Sequence, residues 1–213
     1  MADDGMTPQP APGGFGNILR GMLLLGRGRL TGLVYFGNTA DAVLTALAPR
    51  IALWLVGGLL TMAHAPDATS ATRWLFSLCM ILLPAIVTHA LAQRWGRSAL
   101  WCRYIAAAWW TDWLSPFVML GVALLMALGA PALLETTYGG LIINGVGFAY
   151  SLWMTWFIAR VGLALGGGRA MLLVGAVLLS LTLLAGITAL LPPHYMPWHD
   201  FMALPGASSA PHH

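Results

Sequence analysis

Five stretches of this chain, roughly 42–63, 74–92, 104–128, 141–160 and 170–191, are almost wholly apolar. Crossing the hydrocarbon of a bilayer takes about 20 such residues as a helix. Each stretch is too long for a buried strand. Lipid offers no partner for backbone polar groups, so they must pair within a helix or a closed barrel. No two-residue alternation with short turns marks a barrel. The expected fold is therefore all-α, a polytopic helical membrane bundle with five transmembrane helices. Composition agrees, with 59% hydrophobic and only 8% charged residues, against roughly a quarter charged in soluble domains.

The 37–191 segment holds the five spans, and a 192–213 tail follows. Residues 1–15 are polar and rich in Pro and Gly. They lack the charged and apolar regions of a signal peptide, and a short disordered tail is expected. Residues 16–36 mix leucines with Arg20, Arg27 and Arg29. One central arginine costs about 2.5–3.5 kcal/mol on the insertion scale, so this segment is not a span. It predicts an amphipathic helix lying in the interface, arginines toward headgroups and Leu23, Leu24 and Leu30 toward acyl chains, with a plain linker helix packed on the bundle as the alternative.

With the N-terminus cytoplasmic, Arg20, Arg27, Arg29, Arg94, Arg97, Arg103, Arg160 and Arg169 fall inside and Arg73 alone falls outside. That asymmetry is the positive-inside pattern. The ten arginines and absent lysines suggest a GC-rich bacterial genome, and the inner membrane with a periplasmic C-terminus is the expected location. Trp74 and Trp198 suit the outer interface, and Trp95 and Trp101 the inner one. The arginines form no patch, which argues against nucleic-acid binding.

Two charges fall inside the spans. Counting at helical rise, Arg50 and Asp112 each lie roughly 12 Å into the hydrocarbon. Matching depth and opposite sign predict an ion pair between the first and third spans. Pro49, Pro84 and Pro116 fall near the same level. A helical proline strips the carbonyl four residues earlier of its donor, so Pro116 frees the carbonyl of Asp112, and Arg50 has donors to spare for such groups. Thr111, Ser115, Ser151 and Thr155 are expected to complete a polar belt. Trp109, Trp110, Trp113, Trp153 and Trp156 would wall it in. Such a pair either locks helices together or lines a substrate or proton path. A lone acid makes a poor relay, which favours the locking role.

Other chemistry is thinly represented. His64, His194 and His199 share the outer face without a known ligand spacing. His89 lies near the inner end of the second span, far from His64, which excludes a bis-histidine haem. Cys79 and Cys102 lie toward opposite faces, and free buried thiols are expected. No GxSxG, HExxH or phosphate loop occurs, "LGGGR" at 165–169 being only a turn. Gly57, Gly58, Gly121, Gly145, Gly147 and Gly175 are candidate close-packing positions. Neither a cofactor nor a metal is expected.

The segment "THALAQRWGRSALWCRYIAAAWW", 88–110, resembles the passage from span two to span three in bacterial Yip1-like membrane proteins. Five spans, an inner N-terminal segment and a short external tail resemble that family too. The resemblance implies a small helical membrane domain without catalysis. In eukaryotes its members serve as scaffolds in vesicle traffic, through a long N-terminal region absent here. The expected function is a non-enzymatic scaffold or accessory subunit, partnered by the bilayer and by another membrane protein or a second copy. The alternative is a small transporter or channel with its site at the Arg50/Asp112 layer.

Overall fold

The computed structural model describes residues 14–134 and 136–190. These residues are helical, with no strand among them. The order is α1 (Phe15–Gly26), a short 3-10 turn (Leu30–Tyr35), α2 (Ala40–His64), α3 (Ala68–Arg94), α4 (Ser98–Thr111), α5 (Leu114–Gly129), α6 (Pro131–Leu134), α7 (Thr137–Gly162) and α8 (Gly167–Leu190). Five helical stretches are long and apolar enough to cross a membrane: α2, α3, α4 with α5, α7 and α8. Leucines on α2, α5, α7 and α8 stand exposed around the outside. Apolar surface of that kind suits lipid rather than water.

The helix starts follow local chemistry. The side chains of Thr39, Asp67 and Thr136 accept from the backbone N–H groups of Ala42, Ser70 and Gly139, ordinary N-caps. Bonds from the hydroxyl and backbone of Ser70 hold the Asp67 carboxyl below the usual carboxylate range. The α3–α4 turn closes on Gly96, whose φ of +67° suits glycine. The α7–α8 turn places Ala164 at φ +48° instead, with Leu165 donating to the Arg160 carbonyl at 2.9 Å. A side chain in that region costs about 1 kcal/mol. Ala164→Gly is expected to raise stability by about 0.5–1 kcal/mol, measurable as a higher melting temperature in detergent. An unchanged or lower value contradicts it.

The bundle has a near end, with the α3–α4 and α7–α8 turns, and a far end, with the α2–α3 turn and α6. α4 is its centre. Tyr104, Ile105, Ala106, Ala107, Trp109 and Thr111 are buried on it, and it packs against α1, α2, α3 and α7. α5 buries nothing and packs on α7, without comparable contact to α2 or α3. The third span thus passes from the centre to the rim halfway along.

The N-terminal segment differs from expectation. It is two pieces folded back on each other at Gly28, φ +74°. They meet at Gly21 and Gly32, where a Cβ at Gly32 would lie 2.7 Å from the Gly21 carbonyl oxygen. Ile18, Met22 and Leu25 face the bundle, while Phe15, Leu19, Leu23, Leu30 and Val34 are exposed, as are Arg20, Arg27 and Arg29. α1 is amphipathic, but it runs alongside α4. Ile18 shares a cavity with Ala106 and Trp110, and Gly26 abuts Leu114 and Tyr150. Its tip, Arg27–Gly28–Arg29, reaches the level of Trp153.

Candidate functional site

The break between α4 and α5 builds the site. Pro116 has no N–H to give the Asp112 carbonyl, and the chain tightens around it. Ser115 N–H donates to the Asp112 carbonyl at 3.2 Å, and Trp113 N–H reaches back only to Trp110 at 3.3 Å. The Trp109 carbonyl, which Trp113 would cap in an unbroken helix, is left over. Arg50 on α2 takes it: Nη2 donates to the Trp109 carbonyl at 2.8 Å and to Asp112 Oδ2 at 2.9 Å. The ion pair expected between the first and third spans is present. The capped carbonyl belongs to Trp109, not Asp112, because the 3-10 turn already serves Asp112.

A second device sets the register. Asn38 inserts its amide into the backbone ladder of α4, donating to the Ala99 carbonyl at 2.7 Å and accepting from Arg103 N–H at 3.1 Å. Arg50 lies 12 positions after Asn38, and Asp112 lies 11 after Trp101, the midpoint of the clamp. At equal rise the two charges arrive at one level. Asn38→Ala is expected to cost about 1–3 kcal/mol, since two backbone groups lose their partner. Unfolding by SDS titration in mixed micelles measures it, and a loss under 0.5 kcal/mol contradicts the clamp.

The pair is half open. The Arg50 side chain is 18% exposed and that of Asp112 55%. A groove of about 570 Å³ runs from them between α2, α3 and α5 to Thr61, Ser70 and Arg73 at the far end. Trp54, Trp74 and Trp113 wall it. A second cavity of about 320 Å³ lies among α3, α4, α7 and α8 and reaches Thr88 and Tyr104. The two share Arg50, Ile81 and Asp112. The groove exists because α5 has moved to the rim.

The remaining residues of the expected belt divide. Thr111 is buried and bonds back to the Ala107 and Ala108 carbonyls. Ser151 donates to Ser115 at 3.0 Å, joining α7 to α5, and Thr155 donates to the Ser151 carbonyl. Thr111, Ser151, Thr155, Trp109 and Pro84 line the inner cavity, and Trp113 and Pro116 the groove. Trp110, Trp153 and Trp156 do not wall the belt. Trp110 faces a cavity beside α1, Trp153 stacks on Phe157, and Trp156 donates to the Gly167 carbonyl.

Trp74 of α3 packs against Trp54 of α2. Its indole donates to the Trp54 carbonyl at 3.1 Å, the Trp54 indole donates to the Trp74 carbonyl at 2.9 Å, and the rings stack at 4.8 Å. Gly58 makes this possible, because a Cβ there would fall inside the Trp74 ring. Gly147 is also in close contact, against Met119, whereas a Cβ at Gly57, Gly121, Gly145 or Gly175 would meet nothing. Those four are open positions, not helix contacts.

Both cysteines are free, but Cys79 is exposed and Cys102 only partly covered, contrary to the expected burial. His64 Nδ1 bonds the Leu60 carbonyl. His89 pairs with Gln93 of its own helix and sets its ring against Trp101 of α4. Among the described residues no three His, Cys, Asp or Glu side chains converge as metal ligands. His194, Trp198, His199 and the tail lie outside the described residues. No protein-family model matches this sequence, and no curated protein and no solved structure matches it either.

Proposed function

We propose that this chain is a non-enzymatic inner-membrane protein of a bacterium, near end cytoplasmic, and that the Arg50–Asp112 layer is the site of a small transporter. The observation that carries the proposal is the position of Asp112. A purely helix-locking pair belongs in a filled core, where its charges are mutually satisfied. Here the Asp112 side chain is more than half exposed, and it lines a groove. An ionised acid is costly against hydrocarbon and is tolerated where water or a polar ligand reaches it. A broken helix beside a polar layer is a recurrent form of transport site. The exposed arginines at the α1 tip support the same layer. They sit at its level on the opposite side of the third span, and such charges draw headgroups and water inward.

The test is flux in reconstituted vesicles, with protons, organic acids and short-chain amphiphiles as probes. Gly57→Trp plugs the groove without touching the pair, since the space at Gly57 is open. Flux of at least one probe, lost in Gly57→Trp, is the expected result. No flux of any probe contradicts transport.

One observation favours the scaffold or accessory-subunit reading. Gly121 and Gly145 stand at one level on the paired helices α5 and α7, both open outward. Small residues let a neighbouring helix approach closely. A partner chain or second copy retained through mild-detergent purification, and lost in Gly121→Leu/Gly145→Leu, supports that role. The resemblance of residues 88–110 to Yip1-like proteins suits either role.

A further inference from the structure

We infer that the groove takes a zwitterion bearing a primary ammonium and an anionic oxygen group, with an apolar body. The inference rests on the transporter reading and names its ligand chemistry. Three features at the groove base carry it. First, Arg50 makes both of its bonds through Nη2, and its Nε is buried with no partner. Second, the indole N–H of Trp113, a residue that also lines the groove, is buried without a partner. Unmet buried donors are uncommon and call for an acceptor. Third, Asp112 bonds Arg50 through one oxygen, and its side chain, more than half exposed, lines the groove. Its other oxygen calls for a donor, best a cationic one.

The base therefore offers one positive and one negative group, 2.9 Å apart. A singly charged ligand entering there would leave an uncompensated charge in a low-dielectric place. A zwitterion exchanges partners without changing the net charge: its anionic group takes Arg50 and Trp113, and its ammonium takes Asp112. Trp54, Trp74 and Leu53 give its apolar part a wall. Two sources share the charged part of this chemistry, the ethanolamine headgroup of a bilayer lipid, with tails leaving through the open side, and a free net-neutral phosphodiester such as glycerophosphoethanolamine.

The experiment is an equilibrium titration of the full chain in maltoside micelles, read by the fluorescence of the groove tryptophans. The probes are dihexanoyl phosphatidylethanolamine, its phosphatidylcholine and phosphatidylglycerol counterparts, and free glycerophosphoethanolamine. The ethanolamine lipid is expected to bind about tenfold or more tightly than the choline lipid, which lacks N–H donors, and than the glycerol lipid, which lacks the cation. Asp112→Asn and Gly57→Trp are each expected to abolish the preference. Gly57→Trp serves where Asp112→Asn fails to fold. Free glycerophosphoethanolamine binding as tightly as the lipid assigns a soluble zwitterion held by its charges alone, and its failure to compete assigns the lipid. Equal binding of the three lipids, or a preference that survives Gly57→Trp, overturns the inference. Groove-dependent flux without any zwitterion preference overturns the ligand class alone. Flux indifferent to Gly57→Trp overturns the transporter reading itself.

Discussion

Arg50→Ala is expected to destabilise the protein by about 3 kcal/mol, the lower end of what breaking a buried pair costs. The loss has two parts. The Trp109 carbonyl, orphaned by the 3-10 turn ahead of Pro116, loses its only partner, and Asp112 is left as a lone acid. The half-open setting of Asp112 keeps the figure from rising further, because groove water compensates part of the charge. Asp112→Asn is expected to cost less than Arg50→Ala, since Arg50 then still caps the carbonyl. The double swap Arg50→Asp/Asp112→Arg should recover only the charge pairing, because an arginine at 112, three residues along the same turn, cannot reach the Trp109 carbonyl from α2 as Arg50 does. Unfolding by SDS titration in mixed micelles orders these variants. An Arg50→Ala variant as stable as the parent contradicts the role assigned to the pair.

Gly58→Ala is expected to cost about 2–4 kcal/mol, large for one methyl group. Overpacking alone costs about 1–3 kcal/mol. Here the obstructed group is the Trp74 indole, held by its own hydrogen bond to the Trp54 carbonyl and by a stacked ring. It cannot step aside without surrendering both, at about 1 kcal/mol or so each. The same substitution in a Trp74→Ala background should cost little, because the obstruction is gone. Equal costs in both backgrounds would contradict the clasp. Gly57→Ala, one position away and facing open space, should be neutral or slightly stabilising on helix propensity.

The spans were legible because lipid imposes one simple demand, apolar length. Arg50 and Asp112 were legible as partners because buried charge must be neutralised, and counting residues gave both a depth. Pro116 announced the break in the third span. What stayed hidden depends on close approach between helices. Nothing in the periodicity of α3 says that Trp74 points at Gly58 rather than at an interface. The signal lay in a glycine on one span and an indole on the next, and only the pairing of α2 with α3 joins them. The insertion of Asn38 into α4 was equally invisible, since an Asn before a helix reads as a turn residue. Arginines and leucines on one helix read alike for a surface helix and for one packed along a bundle, and only the structure shows Ile18, Met22 and Leu25 joining the buried core.

The groove depends on α5 leaving the centre of the bundle at Asp112, so water should enter it from the far end. Ser77 lines its wall, about 14 Å along α3 from Ala68. A Ser77→Cys variant, with Cys79 and Cys102 replaced by serine, can be challenged with a membrane-impermeant maleimide from each side of sealed vesicles. A Leu125→Cys variant on the exposed face of α5 gives the lipid-facing baseline. Labelling of position 77 from the far side, well above that baseline and suppressed by Gly57→Trp, is the expected result. Labelling no faster than at position 125 would mean that Asp112 has no aqueous access, and the site proposed here would be a helix lock.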